Sequence, residues 1–315
     1  MILTVTPNPC VDKTVFIDEL KVGTFIRSRK STSIPGGKGT NVSRAVKALG
    51  RDTKALVVVG GHPGAHVVDM IEHQDGVHCV PAWVASQTRT ITTVLEEPIH
   101  RQTAFFEPGS RVTAEEADAL KAVFAEAVRE AKVVTFNGTV PDCRIESLYR
   151  DLIPVAKAEG AITILDTHGP EFALGVQSGP DMVKPNVREA EEVVGYPLES
   201  DAAKWKAIEF FHERGVPVVV LSLGKNGALV SRAGSGQTRE QLRVVPPAIR
   251  EVNPVGSGDA LVAGFAIGLM EGMALDQMAV LACAAGTANA MSWDIGHFTR
   301  DEVDAIARQV TVYRV

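Results

Sequence analysis

Short, continuously apolar runs alternate along this chain with segments of helical periodicity. The apolar runs are ILTVT (2–6), ALVVVG (55–60), KVVTF (132–136), ITILD (162–166), MVK (182–184) and PVVVLS (217–222). Such runs are typical of strands that are buried on both faces of a parallel sheet. Amphipathic helical spacing is present at Val42, Ala45, Val46 and Leu49, and over residues 113–131, 144–159 and 201–214. The alternation predicts an α/β fold in which helices cover both faces of a mostly parallel central sheet.

Two segments, residues 10–35 and 88–107, interrupt this alternation. They lack helical periodicity and contain strand-like runs such as TITTVLEE (90–97) and RQTAFF (101–106). We predict that they pair as a small antiparallel β lid outside the main domain, which then comprises residues 1–9, 36–87 and 108–315. We also expect the lid to present one exposed apolar face, formed by Val15, Ile17, Ile91 and Val94.

Composition excludes several classes of protein. The net charge of the 315 residues is −6 and no basic stripe is present, which argues against a nucleic-acid or membrane-surface protein. The four cysteines, Cys10, Cys79, Cys143 and Cys283, have no metal-site or disulfide spacing, so we expect them to be small buried apolar residues. Because the chain enters a strand directly after Met1 and contains no membrane-length apolar run, we expect a cytoplasmic protein.

The segment NPVGSGDALVAG (253–264) places three small residues around one carboxylate at the predicted start of a helix. The amides of Gly256, Ser257 and Gly258 can approach an anion closely, and a helix N-terminus stabilises negative charge. Asp259 stands next to them as a possible general base. The simpler interpretation of the segment is a capped helix with Ser257 or Asp259 as the N-cap residue.

Polar or glycine-rich loops follow five of the predicted strands, at the sheet edge where ligands bind in such folds. The loops are TPNPCVD (6–12), NGTVPD (137–142), DTHGPE (166–171), KPNVRE (184–189) and LGKNG (223–227). A further glycine-rich segment, PGGKGTNVSRAV (35–46), precedes a predicted helix. Neither Gly-Lys pair continues as a Walker A loop, and Leu261 occupies the third-glycine position of a dinucleotide fingerprint. These absences disfavour a P-loop enzyme and an NAD-dependent oxidoreductase.

The segments GGKGTNVSR, KPNVRE and NPVGSGDALVAG together resemble the two signature regions and the Asn-x-x-Glu motif of the ribokinase-like (pfkB) carbohydrate kinases. The resemblance covers nearly the whole chain. It is closest to the branch that phosphorylates sugar phosphates, namely 1-phosphofructokinase, tagatose-6-phosphate kinase and minor 6-phosphofructokinase. Gly-Ser-Gly-Asp replaces the usual Gly-Ala-Gly-Asp, and GTVP (138–141) replaces Gly-Ser-Leu-Pro. The resemblance implies a ribokinase-like fold and transfer of phosphate from ATP, with Mg²⁺, to a hexose phosphate.

The resemblance also assigns roles to individual residues. Asp259 would deprotonate the attacking hydroxyl, and the amides of residues 256–258 would hold the transferred phosphoryl group. The implied sugar-phosphate contacts are Asp12, Gly37, Lys38, Asn41, Arg89 and Thr139, and the implied nucleotide contacts are Lys184, Asn186, Ser222, Gly224, Gly227 and Asn289. Asn186 and Glu189 would hold Mg²⁺ through water, although a surface turn leading into a helix is the simpler interpretation of that pair.

Three alternatives remain open at this point. The first is a kinase of an unphosphorylated sugar or nucleoside, and the second is a sugar or nucleotide sensor without catalytic activity. The third, an NAD-dependent oxidoreductase, is disfavoured by the incomplete fingerprint. The resemblance further implies a homodimer formed through the lid, which the predicted apolar lid face would favour.

Overall fold

The chain is built around a ten-stranded sheet. The structure is a computed structural model, which describes residues 1–234, 236 and 238–315. The strands are β1 (Ile2–Thr6), β2 (Cys10–Ile17), β3 (Lys30–Gly36), β4 (Thr53–Val59), β5 (His78–Trp83), β6 (Arg89–Glu96), β7 (Arg101–Phe106), β8 (Val133–Asn137), β9 (Ile162–Asp166), β10 (Met182–Val183), β11 (Val218–Ser222), β12 (Ala228–Ala233), β13 (Arg239–Val245) and β14 (Thr311–Arg314). The helices are α1 (Lys38–Ala48), α2 (Gly61–His73), α3 (Ala114–Ala127), α4 (Leu148–Ala158), α5 (Pro170–Val176), α6 (Val187–Val194), α7 (Asp201–His212), α8 (Ser257–Glu271), α9 (Leu275–Ala290) and α10 (Arg300–Ala307).

The strand order of the large sheet is β14-β13-β12-β11-β10-β9-β8-β1-β4-β5. From β5 to β11 each neighbouring pair is parallel, whereas β12, β13 and β14 continue the sheet as antiparallel strands. The prediction of a mostly parallel sheet is therefore confirmed. The antiparallel edge was not predicted, because β13 and β14 are partly exposed and lack a continuous apolar run.

Helices cover both faces of this sheet, as predicted. On one face, α3 to α7 pack on a core that includes Leu3, Val5, Phe124 and Phe211. On the other face, α1, α8, α9 and α10 pack on a core that includes Ile2, and α2 covers alternate residues of β4. Helices α8 and α9 approach closely, because a Cβ atom at Gly264 would lie 2.4 Å from Cα of Ala282. This close packing fixes the position of α8 against α9.

The lid is a separate four-stranded sheet in the order β3-β2-β6-β7. Its outer pairs are antiparallel, but β2 and β6 run parallel to each other. The prediction of an antiparallel lid is therefore wrong at its centre. Strand β2 follows β1, and β6 follows β5, so both leave the same edge of the large sheet and extend in the same direction. The segment between them, which includes α1 and α2, provides the crossover that a parallel pair requires.

The predicted apolar lid face is also wrong. Val15 pairs with Val94, but Ile91 pairs with Asp12 and so lies on the opposite face, because side chains alternate along a strand. Ile17 is only 3% exposed. The exposed large apolar side chains of the lid segments are instead Val22, Phe25 and Ile26 between β2 and β3, Ile99 between β6 and β7, and Phe105 and Phe106 on β7, which are 58% and 70% exposed.

The expectation that all four cysteines are buried is only partly confirmed. All four cysteines are free, but Cys143 is exposed and only the other three are buried as expected. Cys143 begins a short 3-10 turn, Cys143–Ile145, after the loop that follows β8. In the described part of the chain, every helix is too short or too polar to cross a bilayer.

Candidate active site

The N-terminus of α8 lies at the carboxyl edge of the parallel strands and carries Asp259 in its first turn. Gly256 precedes the helix in a left-handed conformation (φ 82°), and no side chain caps the helix. The interpretation of Ser257 or Asp259 as N-cap is therefore wrong. A Cβ atom at Gly256 would lie 2.3 Å from the Ile295 side chain, so glycine is needed here for both conformation and space. The uncapped amides are available to an anion.

Asp259 is a buried carboxylate, with 6% of its surface exposed. Its Oδ2 accepts a hydrogen bond of 2.8 Å from the Asn41 side-chain amide. Burial, and next the negative charge of Asp166, raise the pKa of Asp259 to about 7. The positive charges of Lys38 and Lys184 and the bond from Asn41 act in the opposite direction. A carboxylate with a pKa near neutrality is suited to accept a proton at physiological pH.

Asp166, at the end of β9, connects two lysines. Its Oδ1 lies 3.3 Å from Nζ of Lys38 and 3.2 Å from Nζ of Lys184. Burial alone would raise the pKa of Asp166, but these two cations lower it. A Cβ atom added at Gly258 would lie 3.5 Å from Nζ of Lys184. The ammonium group of Lys184 therefore lies beside the first turn of α8. The lysines therefore add positive charge where the helix N-terminus already attracts anions.

Asn186 and Glu189 form a reciprocal cap at the start of α6. Asn186 Oδ1 accepts from the Glu189 amide at 2.9 Å, and Glu189 Oε2 accepts from the Asn186 amide at 2.8 Å. The other carboxylate oxygen, Oε1, lies 3.7 Å from Nζ of Lys38 and faces the site. This oxygen and the unbonded Oδ2 of Asp166 are hard donors of the type that Mg²⁺ prefers. Within the described residues, no group of three or more His, Cys, Asp or Glu side chains is arranged to hold a metal ion.

A cavity of about 520 Å³ opens beside the first turn of α8. The cavity is lined by Ser222, Gly224 and Gly227, the nucleotide contacts that the resemblance implies. Ser257 and Gly258 also line it. Sequence reasoning missed much of its wall, including Pro246, Pro247, Ala248, Ile249, Glu251, Leu261, Cys283 and Ala290. These residues are mostly small or apolar and carried no motif. A cavity of this size and lining is typical of a small-molecule site.

Asn289 lies close to this cavity but does not line it. Its amide nitrogen donates to the Val255 carbonyl at 2.8 Å and to Ser257 Oγ at 3.2 Å. Its oxygen accepts from the Gly296 amide at 2.8 Å. The structure therefore shows Asn289 as a support for the loop before α8, and direct contact with a nucleotide stays a prediction.

The lid contributes two of the predicted sugar-phosphate residues. Asp12 lies on β2, and Arg89 begins β6, where it pairs with Cys10. Burial raises the pKa of Asp12, whereas the charges of Arg44 and Arg89 act to lower it. Arg89 donates from one terminal nitrogen to the Asn8 carbonyl at 3.1 Å. Its Nε is buried and, among the described residues, makes no hydrogen bond.

The other predicted sugar-phosphate residues lie on the main body. Gly37 precedes α1 with a φ of 122°, and a Cβ atom there would lie 2.7 Å from the Thr6 side chain. Lys38 and Asn41 follow on α1 itself. Thr139 lies in the loop after β8, and its hydroxyl makes no hydrogen bond to any residue that the structure describes. The loop is held by Tyr149, whose hydroxyl donates to the Gly138 carbonyl, and by Glu171, which accepts from the amide of Val140.

The site therefore combines a buried carboxylate of raised pKa, an uncapped helix N-terminus, two lysines and a cavity that reaches the same helix. Such a site, at the carboxyl edge of a doubly covered parallel sheet, is suited to phosphoryl transfer. The model of the pfkB family carbohydrate kinases matches residues 6–292. The chain belongs to this family and is a carbohydrate kinase.

Similar proteins agree with this assignment. Tagatose-6-phosphate kinase from Staphylococcus epidermidis is 31% identical over 320 aligned residues, which cover 100% of both chains. The structure of phosphofructokinase-2 from Escherichia coli in complex with fructose-6-phosphate has a TM-score of 0.86 and 26% identity, with 98% of each chain covered. Arabidopsis thaliana ribokinase, complexed with ribose and ATP, has a TM-score of 0.76 and 21% identity over 98% of each chain. The last likeness confirms the ribokinase-like fold.

Proposed function

We propose that this chain transfers the γ-phosphoryl group of ATP to a hydroxyl of a hexose phosphate and forms a bisphosphate in the cytoplasm. The acceptors that we propose are tagatose 6-phosphate, fructose 6-phosphate and fructose 1-phosphate. The observation that carries the proposal is the position of Asp259, buried at the start of α8 between the cavity and the Asn41 side chain. Relatives that are named for tagatose 6-phosphate or solved with fructose-6-phosphate support the class of acceptor.

In the proposed reaction, the sugar hydroxyl oxygen forms a bond to the γ-phosphorus of ATP, and the bond from that phosphorus to the β–γ bridging oxygen breaks. The hydroxyl proton passes to the Asp259 carboxylate. The amides at residues 256–258, together with Lys184, stabilise charge on the transferred group, and Asp166 holds Lys184 in place. Bound Mg²⁺ would neutralise the nucleotide phosphates, held through water by Glu189 Oε1 and Asn186.

Each substrate is assigned to one side of Asp259. The nucleotide base occupies the cavity lined by Ile249, Leu261 and the small residues of α9, and its phosphates extend past Gly224 and Gly227. Asp12 on the lid accepts hydrogen bonds from sugar hydroxyls. Arg89 and Lys38 bind the phosphate that the sugar already carries, because a guanidinium fork and an ammonium group both suit phosphate oxygens.

A substrate panel tests this proposal. Release of ADP is measured with tagatose 6-phosphate, fructose 6-phosphate, fructose 1-phosphate, free fructose and free ribose. We expect the highest kcat/KM for one of the three sugar phosphates. A higher kcat/KM for free fructose or ribose would place the chain with the kinases of simple sugars. Binding of ATP without turnover of any sugar would favour the sensor alternative.

The pKa of Asp259 predicts how the activity depends on pH. Since the carboxyl group must be ionised to act as base, and its pKa is about 7, kcat/KM for the sugar phosphate should rise as pH increases through about 7 and then level off. Asp166→Asn removes the like charge that raises this pKa, so the rise should move to lower pH. A wild-type rise near pH 4, close to the ordinary value of 3.8, would contradict the assignment of Asp259.

We also propose that the chain forms a homodimer through the lid, where Phe105 and Phe106, on opposite faces of the edge strand β7, are 58% and 70% exposed. Light scattering at micromolar concentration is expected to give twice the chain mass. Replacing both phenylalanines by serine should shift the mass toward the monomer. Trp83→Ser is the control, since Trp83 is 52% exposed on β5, outside the lid. A monomeric wild-type chain, or an equal effect of the control, would contradict a lid-mediated dimer.

A further inference from the structure

Arg44 on α1 has an unusual set of contacts for a residue without an assigned role. All five of its N–H groups donate hydrogen bonds, and its side chain is only 13% exposed. Nε and one terminal nitrogen bind both carboxylate oxygens of Asp75 at 2.8 Å. The remaining N–H groups donate to the Pro35 carbonyl at 2.9 Å, to the Ile295 carbonyl at 3.2 Å and to Asn41 Oδ1 at 3.3 Å.

The contact with Asn41 determines which end of that amide faces Asp259. A guanidinium group has only donors, so it stabilises the orientation in which the Asn41 oxygen faces Arg44. The Asn41 nitrogen then faces Asp259, to which it donates at 2.8 Å. With the amide reversed, the Asn41 oxygen would face Asp259 and would favour the protonated carboxylic acid. Arg44 therefore selects the orientation that favours the ionised base.

The same guanidinium group reaches the base of the lid. Pro35 lies on β3, which pairs with the part of β2 that carries Asp12. Ile295, whose carbonyl accepts from Arg44, lies in the loop after α9. Its side chain packs against Gly256, the residue before α8. The Arg44 guanidinium group thus connects α1, the lid and the loop that packs against Gly256. Asp75 accepts from the same guanidinium group and fixes its orientation.

We propose that Arg44 is a positioning residue for phosphoryl transfer, which holds the Asn41 amide with its nitrogen toward Asp259 and ties this orientation to the base of the lid. The inference rests on the proposed role of Asp259 and extends it to a residue that does not contact the reacting atoms. The other charged groups around Asp259 are Asp166 from β9, Lys38 from α1 and Lys184 after β10. Arg44→Met leaves all three in place.

The test follows the titration of Asp259 in the full-length protein by carbon NMR of labelled aspartate carboxyl groups, with the signal assigned by its loss in Asp259→Asn. Arg44→Met should raise the titration midpoint by about one pH unit, because a donor that favours the charged form is no longer held in place. In an Asn41→Ala background, Arg44→Met should add no further shift. The pH dependence of kcat should move in the same direction, with KM for ATP little changed.

Arg51→Met is the matched control, since Arg51 pairs with Glu271 at the opposite end of α8. It should leave the midpoint unchanged. If Arg44→Met does not fold, Arg44→Lys replaces it: lysine keeps the charge but cannot reach Asn41 and Asp75 together, so the same upward shift is expected. An unchanged midpoint, or an undiminished shift in the Asn41→Ala background, would overturn the proposal. Because the NMR titration needs no turnover, its result is independent of the substrate assignment.

Discussion

Asp259→Asn is expected to lower kcat by about 10²- to 10⁴-fold, the range for removal of a general base. Asparagine has nearly the shape of aspartate, and its oxygen can still accept the hydrogen bond that Asn41 donates. It cannot accept the proton of the attacking hydroxyl. Because other residues line the nucleotide cavity, the dissociation constant of ATP should change little.

Steady-state kinetics and equilibrium ATP titration on the same preparation check this prediction. Asp276→Asn is a suitable control, since Asp276 is a carboxylate in the first turn of the neighbouring helix α9 and pairs with Arg314 away from the site. The control should retain wild-type kcat. Near-normal turnover in Asp259→Asn would exclude this residue as the base.

Arg89→Ala is expected to raise KM for the sugar phosphate by about 10- to 150-fold. This range corresponds to about 1.5–3 kcal/mol for a charge-assisted hydrogen bond. The buried Nε of Arg89 makes no hydrogen bond in the described part of the chain, so a phosphate oxygen would be its first partner. KM for ATP should remain nearly unchanged, because the nucleotide cavity is lined by other elements.

Initial rates with each substrate varied in turn measure both constants. Arg101→Ala serves as the control: this lid arginine pairs with Glu96 and is 59% exposed, so its loss should leave both KM values close to wild type. If Arg89→Ala leaves KM for the sugar phosphate unchanged, or raises KM for ATP equally, the proposed phosphate contact is wrong.

The main sheet was largely predictable because its central strands are buried on both faces and therefore read as continuous apolar runs. β1, β4, β8 and β9 are of this kind. The lid was less predictable. Its strands were found locally, but the parallel pairing of β2 with β6 depends on where both strands leave the large sheet, which no local pattern encodes.

The candidate site divides in a similar way. Asp259 and Asn41 each belong to a glycine-rich motif that the sequence analysis identified, and the two side chains are hydrogen-bonded to each other. Their chemical roles stay predictions. Asp166 was missed because an aspartate at the end of a strand is ordinary turn chemistry. Its importance comes from Lys38 and Lys184, which are distant in sequence and meet it only in the folded chain. The proposed role of Arg44 likewise depends on distant partners: besides Asn41 on its own helix, they are Pro35, Asp75 and Ile295 on three other segments.

The parallel pairing of β2 and β6 has an evolutionary consequence. It places Asp12 and Arg89 on the lid, whereas Lys38, Asp166 and Asp259 lie on the main body. In the proposed site, two sugar-phosphate contacts therefore lie on the lid, whereas Lys38, Asn41 and the proposed phosphoryl-transfer groups lie on the main body. We expect substitutions around Asp12 and Arg89 in the lid strands to alter which acceptor is preferred without repacking α8. If these proposed roles hold, a duplicated gene of this type would change part of its sugar site through lid substitutions while Asp259 is preserved.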